Sequence, residues 1–378
     1  MVNNRIKQSA STLQGISRLA CDGVLAMSER VEHLHGAITS LSAPLGRSEP
    51  KPTRGLTRQV YRSVRGVTRL VAVGSESLLR PLAGSQSPDS KARDILNGIL
   101  GDHLAATGNP LTTRMGIEHG SVSRGAETVT ENPSASAHLL LMLHGLCMGP
   151  GHWQGQAHNH AVELAERSGR ELLYLRYNSG LSIPENGQLL ARQLQTICAE
   201  WPTRVESLSM VGFSMGGLLA RSASHYGLLA GHDWPEHLST IITLGTPHQG
   251  SHLEKAGHWL ESALDYSPYS SPIGRIGRMR SAGIIDLRDG RVVAEQCTEQ
   301  AAMLPATTRL HAIAATRGRP GPRNNRALGD GLVSINSALA SGMQLGETPG
   351  ERLIIYNTGH LGLLNNRDAC EAMADWLT

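Results

Sequence analysis

The stretch Gly212-Phe213-Ser214-Met215-Gly216-Gly217 decides the fold of this chain. The residues before it, from Val205 to Val211, have the apolar character of a strand. The residues after it, from Leu218 to Ala223, have the character of a helix. Glycines on both sides of the serine allow the strand and the helix to approach each other closely. The stretch therefore predicts a strand, a sharp turn that presents a hydroxyl group, and a helix.

A serine at such a turn is placed for nucleophilic chemistry. The turn raises the Ser214 hydroxyl above the sheet and puts it at a helix N-terminus, where the backbone N–H of Met215 can donate to a developing oxyanion. Short Gly/Ser patterns also recur by chance in a chain with 42 glycines, so a tight turn with an incidental serine is the alternative. The choice depends on whether catalytic partners follow downstream.

Two candidate partners do follow Ser214. Asp330 comes after the strand-like run 310–314, and His360 comes after the strand-like run 353–356. The chain order Ser, Asp, His belongs to one class of serine hydrolases and differs from the order in the chymotrypsin and subtilisin types. Both candidates fall in loops at the C-terminal ends of predicted strands, where open α/β sheets keep their sites. We therefore predict a catalytic triad of Ser214, Asp330 and His360.

Strands and helices alternate through the second two thirds of the chain. The apolar run from Ala137 to Leu143 predicts a strand buried on both faces. Alternation with short loops predicts an α/β fold with a doubly wound, mostly parallel sheet. The other predicted strands lie near 171–177, 205–212, 239–244, 310–314 and 353–356, and the predicted helices near 155–168, 185–200 and 368–377.

The first predicted strand of this region ends in His144-Gly145-Leu146. An HG pair at this point can build half of an oxyanion hole, with the backbone N–H of Leu146 aimed at the substrate oxygen. The alternative is a glycine-rich turn. We interpret the side chain of His144, and also that of His248, as structural and hydrogen-bonded rather than catalytic.

Other acidic and histidine residues are weaker candidates. Asp286 and Asp289 are rival acids for the triad, but neither follows a core strand. His152, His158 and His160 are scattered without the carboxylates that would complete a metal site, so we predict no metal and no cofactor.

The N-terminal third of the chain has a different sequence pattern. Residues 1–45, about 54–80 and about 90–106 show helical periodicity, and residues 107–136 predict a loop or an edge hairpin. We predict a helical extension over 1–130 and a catalytic domain over 131–378. The first helix could pack on a neighbour, form a coiled-coil surface or lie on a membrane. The second carries an arginine stripe that is either a solvated face or a contact for anionic lipid: Arg54, Arg58, Arg62, Arg65 and Arg69.

Residues 252–305 interrupt the alternation of strands and helices. They mix aromatic and aliphatic residues with Gly, Ser and Arg after the fourth strand-like unit of the domain. An insertion at the mouth of a site is where a lid would lie. A helical insertion that never moves is the alternative, and the pattern does not choose between the two.

Composition limits the classes of function. The chain has 378 residues, 40% of them hydrophobic, and a formal net charge of +3, with no motif typical of nucleic-acid recognition. Its five dispersed cysteines, the lack of a signal pattern and the lack of a long apolar run predict a cytoplasmic protein with reduced thiols and no transmembrane helix.

Taken in order, the motifs HGL, GFSMGG, GTPHQGS, DGLV and GH make residues 137–378 resemble the bacterial lipase and esterase branch of the α/β-hydrolases. The phrase GTPHxGS also occurs in relatives that deacylate lipid anchors. The resemblance implies an α/β-hydrolase fold, Ser214 as nucleophile, Asp330 and His360 as its partners, and Leu146 and Met215 as oxyanion donors. Compact lipases lack a helical extension like residues 1–130.

The predicted function is a carboxylic ester hydrolase that forms an acyl-enzyme with a lipid or small-molecule ester. The same acyl-enzyme would also serve an acyltransferase, or a deacylase of lipid anchors or phospholipids. A non-enzymatic alternative is a scaffold that docks to a membrane or a partner through its N-terminal helices. The presence of all the catalytic parts favours the hydrolase.

Overall fold

The structure is a computed structural model of the full chain. It describes residues 14–26, 28, 29, 32, 91–120, 135–153, 159–251, 281–294, 302, 304–320, 329–343 and 349–378. The predicted helices over most of 1–45 and over 54–80, the arginine stripe, and the part of the predicted insertion from 252 to 280 lie outside the described residues.

A seven-stranded sheet forms the centre of the molecule, in the order β1-β3-β2-β4-β5-β6-β7. Every neighbouring pair is parallel except β1 and β3, which are antiparallel. The predicted fold class is confirmed. The strands are β1 Gly116–His119, β2 His138–Leu143, β3 Glu171–Arg176, β4 Ser207–Phe213, β5 Leu238–Leu244, β6 Arg309–Ala315 and β7 Pro349–Ile355.

Helices connect and cover these strands, and several begin where a polar side chain caps the first turn. The side chains of Asn159, Ser182 and Asn366 each accept a hydrogen bond from a backbone N–H three residues later, which satisfies a donor that has no partner inside the helix. The helices are α1 Lys91–Ala106, α2 His160–Ser168, α3 Ile183–Glu200, α4 Met215–Leu229, α5 Ala282–Asp289, α6 Ile335–Ala338 and α7 Arg367–Leu377.

The core lies on both faces of the central strands. Residues 139–143 of β2 are completely buried, as the continuous apolar run predicts for a strand covered on two sides. Leu140 and Met142 belong to a cluster that includes Phe213 of β4, Ile313 of β6 and Met373 of α7. Ser214, Asp330 and His360 follow the C-terminal ends of β4, β6 and β7 in this sheet.

Contacts divide the chain into two compact units, Met1–Asp89 with Leu104–Thr112 and Ser90–His103 with Thr113–Thr378. In the first unit, residues 14–26 are helical, and the side-chain amide of Asn109 donates to the carbonyl of Gly15 at 3.2 Å. The second unit contains the whole sheet. The division of the chain at residue 130 stays a prediction.

Sequence patterning left two elements unassigned. The edge strand β1 is only four residues long and carries no apolar alternation, and it pairs antiparallel with β3 inside the region predicted as a loop or hairpin. Helix α5 lies inside the predicted insertion and begins at the Ser281 cap. Short elements of this kind are set by their tertiary neighbours rather than by local propensity.

The glycines around Ser214 let backbone segments meet at distances that a side chain would prevent. A Cβ atom on Gly212 would collide with the backbone of Gly216 and Gly217, and one on Gly216 would collide with the carbonyl oxygens of Leu143 and His144. The end of β4, the start of α4 and the end of β2 therefore pack backbone against backbone.

We expect Gly212→Ala to destabilise the fold by about 3 kcal/mol or more, because the added methyl group meets backbone atoms that cannot rotate away. Urea unfolding measures the change in the free energy of unfolding. Gly116→Ala is the matched control, since a Cβ atom there meets nothing within 4 Å. Equal stability of the two variants would contradict the close packing at the turn.

Candidate active site

Ser214 occupies the sharp turn between β4 and α4. Its backbone is in an unusual conformation for a residue with a side chain, with φ 53° and ψ −118°. Its N–H donates to the carbonyl of Leu244, at the end of β5, with an N···O distance of 2.8 Å. The predicted strand, turn and helix are all present, and the serine stands at the N-terminus of a helix.

His360 and Asp330 are in direct contact. The distance between His360 Nδ1 and Asp330 Oδ2 is 2.6 Å, and both side chains are buried. Because a carboxylate can only accept hydrogen bonds, Nδ1 carries the proton and donates a hydrogen bond to Asp330. In the neutral ring this leaves Nε2 as an acceptor, which is the tautomer that a general base needs.

The Asp330 carboxylate is held on both of its oxygens. Oδ1 accepts the backbone N–H groups of Leu332 at 2.9 Å and Val333 at 2.8 Å, while Oδ2 accepts from His360. The backbone carbonyl of Asp330 accepts Nε of Arg317 at 3.1 Å and the N–H of His360 at 3.3 Å. These hydrogen bonds fix the position of the carboxylate.

His360 packs beside the turn that carries Ser214. Its ring lies 4.9 Å, centroid to centroid, from the ring of Phe213. A Cβ atom on Gly245, the residue after Leu244, would lie 3.1 Å from His360 Cε1 and Nδ1, so the imidazole packs closely against this glycine. The structure thus joins Asp330 to His360 directly and packs the His360 ring against Phe213, the residue that precedes Ser214.

Two buried backbone N–H groups lie in the segments that meet at Ser214. Within the described part of the chain, neither the N–H of Leu146 nor that of Met215 makes a hydrogen bond to another residue. Both residues are buried, and a Cβ atom on Gly145 would lie 3.3 Å from the Ser214 Cβ. Since nearly all buried N–H groups are paired, two such donors on segments that meet at Ser214 are suited to bind an oxyanion.

His144 orients the first of these donors. Its Nδ1–H donates a hydrogen bond to the carbonyl oxygen of Gly145, with an N···O distance of 2.9 Å. In a trans peptide the N–H points away from the carbonyl, so this bond turns the N–H of Leu146 to the opposite side. The hydroxyl of Tyr177 donates to the His144 carbonyl at 2.8 Å, and the two rings stack 4.2 Å apart. His144 therefore has the structural, hydrogen-bonded role that the sequence predicts.

His248 lies in a buried chain of hydrogen bonds behind the turn. Arg221 Nη1 donates to His248 Nδ1, and His248 Nε2 then donates to Thr243 Oγ1, both at 3.2 Å. The hydroxyl of Thr243 in turn donates a hydrogen bond to the carbonyl of His311 at 3.2 Å. Burial holds the pKa of His248 well below its usual value and lowers the pKa of Arg221 to about 10. Arg221 looks like an ordinary helix residue in the sequence, so its complete burial could not be predicted.

The rival acids Asp286 and Asp289 make contacts outside the candidate triad. Asp286 accepts the backbone N–H of Ile183 at 2.9 Å and so serves the first turn of α3. Asp289 pairs with the neighbouring Arg288 at 2.6 Å on the surface.

Among the described residues, no group of three or more His, Cys, Asp and Glu side chains could hold a metal ion. No described helix is long and apolar enough to cross a bilayer.

Comparison with protein families gives one match. Residues 142–314 match the family model described as the PGAP1-like alpha/beta domain. The matched segment contains Leu146, Ser214 and Met215, and it ends before Asp330 and His360. No curated protein sequence matches the chain.

Comparison with solved structures gives distant likenesses. A lipase from Bacillus licheniformis in its mature form is 20% identical, with a TM-score of 0.46 over 70% of this chain and 98% of its own. The esterase Pf2001 from Pyrococcus furiosus is 13% identical, with a TM-score of 0.40 over 64% and 83%. A thermophilic esterase from Thermogutta terrifontis is 13% identical, with a TM-score of 0.39 over 70% and 93%. By its own sheet order and strand–turn–helix geometry, the chain has the α/β-hydrolase fold.

Buried His144 makes the stability of the fold depend on pH. Burial lowers the pKa of His144 to about 3, below the usual value that it regains on unfolding. Between these values the unfolded chain binds a proton that the folded chain does not, so stability falls as the pH is lowered. We expect this residue alone to remove about 2 kcal/mol of unfolding free energy between pH 7 and pH 5.

Urea unfolding of wild type and His144→Asn at the two pH values measures this contribution. The variant should lose about 2 kcal/mol less than wild type over the same interval. His138→Asn, which changes an exposed histidine of β2, is the control. If His144→Asn shows the full wild-type loss, His144 is not buried in the neutral form.

Proposed function

We propose that this protein is a serine carboxylic ester hydrolase. Ser214 is the nucleophile, His360 the general base, Asp330 the residue that orients His360, and the N–H groups of Leu146 and Met215 the oxyanion donors. The observation that carries the proposal is the 2.6 Å contact between His360 Nδ1 and Asp330 Oδ2, beside a serine held in a strained turn.

The reaction follows from these positions. His360 Nε2 takes the proton of the Ser214 hydroxyl while Ser214 Oγ attacks the carbonyl carbon of the ester. Asp330 holds the correct tautomer and stabilises the imidazolium that forms. The carbonyl oxygen becomes an oxyanion, which the N–H groups of Leu146 and Met215 bind. The alcohol leaves with the proton from His360, and a water activated by the same imidazole releases the acid.

Several features support this assignment over a scaffold. A non-Gly residue at positive φ costs stability, as do two buried N–H groups that have no acceptor among the described residues, and a scaffold gains nothing from either. The Asp330 carboxylate also accepts hydrogen bonds on both oxygens, so its position is fixed. Such costs are expected at a site that is prepared for a charged intermediate.

A lipid-linked ester is the substrate class that we favour. The phrase GTPHQGS, from Gly245 to Ser251, lies inside the segment that matches the PGAP1-like alpha/beta domain, and the sequence resembles enzymes that deacylate lipid anchors. The same acyl-enzyme could also pass its acyl group to an alcohol. Product analysis with added alcohol separates the two, because excess transfer product over free acid would identify an acyltransferase.

Hydrolysis of p-nitrophenyl esters of short to long acyl chains tests the reaction class. We expect Ser214→Ala to lower kcat by about 10⁶-fold and Asp330→Asn by about 10⁴-fold. Ser224→Ala is a matched control on the same helix, because the Ser224 hydroxyl is buried without a hydrogen-bond partner. Turnover that survives Ser214→Ala in folded protein would rule out the proposed mechanism.

A cytoplasmic location and contact with membranes stay predictions. If the arginine stripe from Arg54 to Arg69 attracts anionic lipid, each arginine near the membrane surface contributes about 1 kcal/mol of binding free energy. Salt screens this attraction. The full-length protein should then float with phosphatidylserine vesicles at low salt and be released at high salt. Phosphatidylcholine vesicles are the control, and no flotation at low salt would dismiss the contact.

A further inference from the structure

Helix α1 lies against the loop that carries the oxyanion donor Leu146. A Cβ atom on Gly98 would collide with the Sγ of Cys147 and would lie 2.8 Å from the Cα and N of the same residue. The Sγ of Cys147 is 3.7 Å from the carbonyl of Ile95, one turn earlier in α1. Both α1 residues belong to the compact unit that contains the sheet.

Cys147 needs this support because its backbone is strained. It has φ 60°, a conformation that residues with a side chain rarely adopt, and it is fully buried. Burial also raises the pKa of its thiol far above the usual range, so the side chain is an uncharged packing group rather than a nucleophile. A strained residue persists only where its surroundings leave it no alternative, and α1 supplies that restraint.

Ser179 holds the same residue from the other side. Its Oγ accepts the N–H of Cys147 at 3.0 Å, and it is buried in the loop after β3. This loop is itself fastened to α1, since the side-chain amide of Asn178 donates to the carbonyl of Gly101 at 2.9 Å. The loop after β3, helix α1 and Cys147 therefore form one three-way contact.

The consequence falls on Leu146. Of the two peptide planes that flank its α-carbon, the first is fixed by the bond from His144 to the Gly145 oxygen, and the second by the bond from Cys147 to Ser179. With both planes fixed, the direction of the Leu146 N–H is fixed as well.

We propose that Gly98 and Ser179 are positioning residues for the oxyanion donor Leu146, so that helix α1 is a working part of the active site. This inference rests on the proposed function. It assigns a role in catalysis to a segment that sequence patterning places in the N-terminal extension.

Gly98→Ala is the first test. Alanine favours a helix more than glycine does, so the substitution should not weaken α1 itself. Its methyl group displaces the Cys147 backbone and turns the Leu146 donor. Because an oxyanion donor acts in the transition state, we expect kcat to fall about ten- to a hundredfold with KM within about twofold. Gly151→Ala is the control in the same segment, since a Cβ atom there meets nothing within 4 Å.

A reversible aryl trifluoromethyl ketone separates positioning from loss of folded enzyme. It forms a tetrahedral adduct with Ser214, so its Ki should rise by the same factor as kcat/KM falls. Rates are normalised to active sites titrated with a fluorophosphonate. A purely structural role would reduce the number of active sites while kcat per site and Ki stay constant, and that result would overturn the inference.

Ser179→Ala provides a second variant should Gly98→Ala fail to fold. It removes the acceptor of the Cys147 N–H without adding atoms, and it should lower kcat and raise Ki in the same proportion. Serine-dependent turnover with kcat and Ki unchanged in this variant would refute the inference and leave the proposed function intact. A wild type without any Ser214-dependent turnover would refute both.

Discussion

The close approach of three backbone segments at Ser214 is the constraint on which the site depends. Strand β4, helix α4 and the end of β2 meet through Gly212 and Gly216, where any side chain would collide with backbone atoms. This packing holds Ser214 at φ 53° and sets it at the start of a helix. It also brings Gly145, the residue before Leu146, next to the serine side chain. A serine in a looser turn would lose both the strain and the neighbouring donor.

Hydrogen bonds to fixed groups hold the rest of the site. The Asp330 carboxylate takes two backbone N–H groups and the imidazole of His360. The Gly145 carbonyl accepts a hydrogen bond from His144, and the Cys147 N–H donates one to Ser179 Oγ. The N–H groups of Leu146 and Met215, in contrast, have no acceptor in the part of the chain that the structure describes. If these residues form the proposed active site, it is organised before the substrate arrives, and little reorganisation is needed when charge develops.

Much of this could be predicted from the sequence, because its signals are local. The strand–turn–helix at Ser214, the parallel sheet and the placing of Asp330 and His360 after core strands all follow from periodicity, glycine and chain order. The contact between Asp330 and His360 follows in turn from the geometry of parallel strands, whose C-terminal ends share one edge of the sheet.

Other features depend on contacts between distant segments and carry no local signal. Gly98 looks like a weak point in a helix, and only the structure shows that Cys147 occupies the space its side chain would fill. Arg221 looks like a surface residue of α4, yet it is buried and bonded to His248. The short strand β1 is formed by its pairing with β3 and not by its own propensity.

Detection of the acyl-enzyme tests the central claim most directly. The protein is mixed with excess p-nitrophenyl butyrate, quenched in acid within the first turnovers and examined by mass spectrometry after digestion. A butyryl group on the peptide that contains Ser214, absent from untreated protein, is the predicted result. Release of p-nitrophenol with no acyl group on Ser214, or with the acyl group on another residue, would contradict the assignment of Ser214 as the nucleophile.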